Sequence, residues 1–173
     1  PTPDAAPPHA AHQPVGARVA SAAAVELVVA AGAALIVVPR ALAAAPAVVD
    51  ASASGVVVVV SGSAEQAGAA ALELIGAGGT PGRVVVEVPV APHTAALHAG
   101  DVDQLAELGL LAGVAFPPLP AVTDEAVGWE IGSLTRLLVA GVRTFRGVDP
   151  ERFARVRAVH EATEAARAGE GRP

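Results

Sequence analysis

Short runs of apolar, mostly β-branched residues recur along this chain at near-regular intervals, and that rhythm restricts the fold more than any other feature. They stand at Leu35–Val38, Val56–Val60, Val84–Val88, Gly113–Phe116 and Val142–Arg146. Starts roughly 20 to 30 residues apart leave room for a strand, a helix and two loops. The first four runs are almost unbroken apolar stretches with no alternation, the pattern of parallel strands covered on both faces.

The segments between the runs carry helix signals. Ser63 opens Ser-Ala-Glu-Gln, a capping box in which the Ser63 hydroxyl and the Gln66 side chain satisfy exposed N–H groups. Asp101 with Gln104 is a looser version. Asp149-Pro150-Glu151 sets an N-cap, a proline at the first helical position and an acid at the positive end of the dipole. Gly76, Gly109 and Gly141 follow expected helix ends, where a left-handed residue is wanted. The expected order is therefore helix first, at about 17–30, then five strand–helix units. Five parallel βα units suit part of a TIM-like barrel, and on length alone they also suit an open doubly wound sheet. Residues 15–168 form one domain on this reading. Residues 1–14, rich in Pro, Ala and His, read as a disordered tail or linker, and 169–173 as a loose end.

Composition excludes several chemistries. The 173 residues contain no Cys, Met, Tyr, Lys or Asn, and all 11 basic residues are arginine. No lysine means no Schiff base and no P-loop lysine; no cysteine means no thiol nucleophile and no Cys-bound zinc. The residues call for no cofactor. A net charge of −6 without a basic, aromatic-flanked cluster argues against nucleic acid as a partner. Mean hydropathy is +0.53, yet the Val19–Val38 stretch is interrupted by Ser21, Glu26 and Gly32, so it reads as a helix followed by a strand and not as a membrane span. No basic region precedes an apolar core at the start, and the cytoplasm is the expected location.

Residues 134–159, LTRLLVAGVRTFRGVDPERFARVRAV, resemble the closing helix–strand–helix of the dihydropteroate synthases and their pterin-binding relatives. That family ends in a helix, a G-[AV]-x-x-x-R strand and an R-V-H-D-V loop; Gly141, Val142, Arg146 and Asp149 fall on this pattern. The resemblance implies a TIM barrel, with the runs at Leu35–Val38, Val56–Val60, Val84–Val88 and Gly113–Phe116 as its fourth to seventh strands and the first three strands absent. It implies a pterin site of folate biosynthesis, but the residues for one are missing. Pro39-Arg40 replaces the family's Asn-Asp pair. Glu87-Val88-Pro89 replaces Asp-Pro-Gly, Phe116-Pro117-Pro118-Leu119 replaces the Ser-Arg-Lys run, and Val148 replaces the loop histidine. Arg146, the family's anion-binding arginine, is kept.

Parallel α/β folds bind ligands at the C-terminal ends of their strands. The candidates there are Arg146, able to clamp a phosphate or carboxylate or else to pair with Asp149 across its loop, and Arg40. Ser61-Gly62-Ser63 could hold an anion on its N–H groups or simply cap a helix. The sequence names no catalytic residue. His93, His98 and Glu87 lack metal-site spacing and read as solvated loop histidines beside an unrelated acid. Trp129 lies off the centre of a stripe of Val127, Ile131, Leu134 and Leu138, and covers a helix edge or an interface. The leading expectation is a dihydropteroate-synthase-like domain that has lost catalysis and binds a protein partner, a second copy or an anionic, pterin-like molecule. A pterin enzyme completed by another chain, and a doubly wound phosphate- or nucleotide-binding domain using Ser61–Ser63, are the alternatives.

Overall fold

The computed structural model describes residues 16–90, 98–117, 123–142 and 144–170. Six strands lie side by side in chain order, every neighbouring pair parallel: β1 (Gly16–Arg18), β2 (Leu35–Pro39), β3 (Val57–Ser61), β4 (Val84–Pro89), β5 (Leu111–Ala115) and β6 (Thr144–Arg146). The helices between and after them are α1 (Ala22–Ala30), α2 (Pro46–Ala53), α3 (Ala64–Gly76), α4 (His98–Glu107), α5 (Asp124–Val139) and α6 (Pro150–Glu170). A doubly wound sheet reverses its strand order at a switch point. Here the order never reverses, so the open doubly wound alternative is excluded and the sheet curls into a half-barrel.

The sixth strand corrects the expected pattern. Ala17 and Arg18 fall inside the expected opening helix, but with Gly16 they pair with β2 in the register Gly16↔Leu35, Ala17↔Ile36 and Arg18↔Val37. Three residues without a β-branched run leave no periodic signal, and the pairing with β2 supplies what local preference does not. Helix α1 starts only at Ala22, where the Ser21 side chain accepts from the Ala24 N–H.

Helix starts follow the capping residues. Ser63 Oγ accepts from Gln66 N at 3.4 Å, Thr123 Oγ1 from Ala126 N at 3.2 Å, and Asp149 Oδ1 from Arg152 N at 2.8 Å. Replacing Ser63 with alanine is expected to lower stability by about 1 kcal/mol, readable as a shift in the urea midpoint at constant slope. Gly109 and Gly141 take the left-handed conformation, as expected. After α3 that role falls to Gly78, not Gly76, which is the last residue of the helix itself.

The core has two sides, because successive strand residues point to opposite faces. Outward, Ile36, Val38, Val58, Val60, Val84, Val86 and Val114 are buried beneath the helices with Val25, Leu74, Leu105, Leu134 and Leu137. Inward, Val37, Val59 and Val85 form a second buried cluster, flanked by Leu35, Val57 and Leu111. Both faces exclude water, which is why these strands read as continuous apolar runs. The buried line of α5 passes through Glu130, Ser133, Leu134 and Leu137, and Ile131 is exposed. Trp129 is partly buried against the core, its ring edge-to-face with Phe116 at 5.6 Å. No described helix is long and apolar enough to cross a membrane.

Candidate functional site

The site is built on the inner face of the half-barrel at the C-terminal ends of its strands. Glu87 of β4 interrupts four valines and is buried with them. A buried carboxylate requires a counter-charge and hydrogen bonds, since the desolvation cost of a bare one is large. Arg146 of β6 supplies both. Its Nε donates to Glu87 Oε2 at 2.7 Å and its Nη2 to Oε1 at 2.5 Å, a two-pronged contact. The two strands are not neighbours: β5 lies between them. Arg146 can reach across because β5 places only the small Gly113 and Ala115 between them, opposite Glu87 and Arg146 respectively in the ladders. A Cβ on Gly113 would overlap Thr144 Oγ1 and come within 2.9 Å of Val85 Cγ1.

The pair is unequal. The Glu87 side chain is 4% exposed and that of Arg146 43%. Hydrogen bonding to Glu87 is the main influence raising the Arg146 guanidinium above its ordinary value, so it stays charged at any working pH. The carboxylate engages Nε and Nη2, which leaves the Nη1 hydrogens outside that contact. A cavity of about 450 Å³ adjoins it, lined by Val37, Val59, Glu87, Thr144, Arg146 and Phe153 among others.

The loop after β6 is held from the other side by a second buried acid. Glu130 of α5 accepts from the Asp149 backbone N–H at 3.3 Å and forms an ion pair with Arg152 in the first turn of α6. Between the two clamps, Gly147 adopts φ +79° and packs so closely on Phe116 that an added Cβ would overlap the Phe116 carbonyl oxygen. The Phe116 N–H donates to the Arg146 carbonyl at 2.8 Å. Arg146 is thus presented from a backbone with little freedom to move.

Of the residues expected from the sequence, Arg146 is at this site. Its partner is Glu87 and not Asp149, which caps α6 instead. Ser61 faces inward beside Glu87 in the β3–β4 ladder. The Gly62 N–H donates to the Glu87 carbonyl at 3.1 Å, continuing that ladder, and the Ser63 hydroxyl caps α3. Arg40 opens a short 3₁₀ turn after β2 and is exposed. His93 and Pro118 lie outside the described residues, and His98 opens α4. Among the described residues no group of three or more His, Cys, Asp or Glu could hold a metal ion. The Glu87 and Glu130 pairings were missed from sequence. The available signal was a lone acid inside an apolar stretch, which identifies a buried charge but not its partner.

No family model matches the sequence, and no curated protein matches it. Solved structures do. A dihydropteroate synthetase crystallised with a product superposes with a TM-score of 0.68 at 15% identity, over 87% of this chain and 71% of that one. The fold is dihydropteroate-synthase-like. The structure of Mycobacterium tuberculosis Rv1207 matches it with a TM-score of 0.66 at 20% identity, over 93% of this chain and 71% of its own. At these identities the likeness concerns the scaffold alone, and the Glu87–Arg146 pair lies toward the C-terminal ends of the strands of that half-barrel.

Proposed function

We propose that this dihydropteroate-synthase-like domain does not make dihydropteroate, and instead holds a small anionic or pterin-like molecule against Arg146 in the mouth of the half-barrel. The observation that carries this reading is the unequal Glu87–Arg146 pair. Glu87 locks one edge of a half-exposed guanidinium that lines a cavity together with Val37 and Val59, and the Nη1 donors stay outside that contact. A carboxylate or phosphate oxygen is the acceptor such a fork suits, and a fixed fork loses little freedom on binding. Loss of catalysis follows from the chemistry of the replacements: Pro39-Arg40 and Phe116-Pro117 offer none of the groups that the family resemblance calls for. Cytoplasmic location belongs to the same proposal.

Mixing the full chain with dihydropterin pyrophosphate and p-aminobenzoate is expected to yield no dihydropteroate. Pyrophosphate or p-aminobenzoate alone is expected to bind, with affinity falling about tenfold in Arg146→Lys, which keeps the charge and loses the fork. Sustained product formation would overturn the non-catalytic reading; affinity indifferent to Arg146→Lys would overturn the site.

One observation favours a second reading, an enzyme or binding domain completed by another chain or a second copy. Strands β1 and β6 each pair on one side only among the described residues, leaving two open edges where a closed barrel has none. Sedimentation of the full chain as a monomer at high concentration would count against self-completion.

A further inference from the structure

We infer that Arg18 is a second anion-binding residue, so that the cavity accepts a molecule with an acidic group at each end. The inference deepens the proposed function and rests on its reading of Arg146. Three independent observations place Arg18. The register Arg18↔Val37 puts it on the same face of the sheet as Val37, which lines the cavity. Its neighbours obey the alternation: Val19 is buried in the outer core under the helices, and a Cβ on Gly16 would stand 3.2 Å from Cδ2 of Leu35, another cavity residue. Arg18 also ends β1 at the C-terminal edge of the sheet, the edge where Arg146 ends β6.

Arg18 is exposed, and no carboxylate of the described residues pairs with it. It therefore differs from Arg146, whose charge is already balanced by Glu87. The cavity runs from Leu35 and Val37 on β2 to Thr144 and Arg146 on β6, with Val59 on its apolar wall. Arg146 lines the cavity on the β6 side, and Arg18 belongs to the next strand beyond the β2 side, outside the lining itself. A molecule anchored on Arg146 and long enough to pass Val59, Val37 and Leu35 would reach Arg18. The chemistry that fits is an apolar body with two terminal carboxylates or phosphates, each taken by one arginine.

The test uses the full chain, isothermal titration calorimetry and the α,ω-dicarboxylates from succinate to suberate, each against the monocarboxylate of equal carbon count. At the best chain length the diacid is expected to bind at least about tenfold more tightly than its monoacid, the value of one charge-assisted contact. Arg18→Gln is expected to erase that advantage, so that diacid and monoacid bind alike. As an exposed residue it can be replaced without unfolding the chain, which an unchanged Tm verifies. Arg146→Lys should weaken monoacid and diacid alike. A diacid advantage that survives Arg18→Gln, or no diacid advantage at any length, overturns this inference and leaves the Arg146 site standing. No acid binding at all, or binding indifferent to Arg146→Lys, overturns the site and the inference together.

Discussion

Replacing Gly147 with alanine is expected to lower stability by about 3–5 kcal/mol, the sum of a left-handed backbone penalty and an overpacking penalty. Gly147 has φ +79°, a region that a Cβ disfavours. The added carbon would also meet backbone: it would overlap the Phe116 carbonyl oxygen and lie 3.2 Å from the Phe116 carbonyl carbon. No side chain can rotate away to make room. The Phe116 segment is itself tied to the Arg146 carbonyl, so relief would require parting β5 from β6. For a chain of this size the loss corresponds to a fall in Tm on the order of 10 °C, measurable by calorimetry. Gly32→Ala supplies the control. Gly32 also has a positive φ, +86°, but its added Cβ meets nothing within 4 Å, so the cost should be confined to about 1–2 kcal/mol.

The second large effect is an asymmetry between the two halves of one ion pair. Arg146→Ala strands the Glu87 carboxylate, 4% exposed, without its counter-charge and is expected to cost about 3–5 kcal/mol. Glu87→Gln leaves a guanidinium that is 43% exposed and solvated, and keeps a hydrogen-bonding side chain of nearly the same shape, so its cost should stay near 1 kcal/mol. Chemical denaturation of the two variants at neutral pH measures the difference. Equal losses would show that the pair is held as a surface contact and that Glu87 is not its buried anchor.

Much of this scaffold is legible in the residues themselves. Val56–Val60 and Val84–Val88 announce buried parallel strands because both faces of such strands are apolar, and Ser63 and Asp149 announce helix starts because capping is a matter of three or four adjacent residues. The first strand is not legible: Gly16-Ala17-Arg18 has no pattern of its own and becomes a strand through its pairing with Leu35–Val37. The site divides the same way. Arg146 is recognisable from the short stretch around it, whereas Glu87, 59 residues earlier, and Glu130, 19 residues before Asp149, are not connected to it by any spacing.

The sequence by itself therefore determined the units of this protein: where strands and helices begin, that the strands are buried on both faces, and which chemistries its composition forbids. Those are properties of neighbouring residues. Only the tertiary structure decided that the strands lie in unbroken order and curl, that Arg146 reaches over Gly113 to Glu87 instead of down its loop to Asp149, and that Arg18 shares their face. The reason is physical: a charge chooses its partner by the cost of leaving a buried carboxylate unpaired, and which carboxylate is buried within reach is set by the packing of strands far apart in the chain.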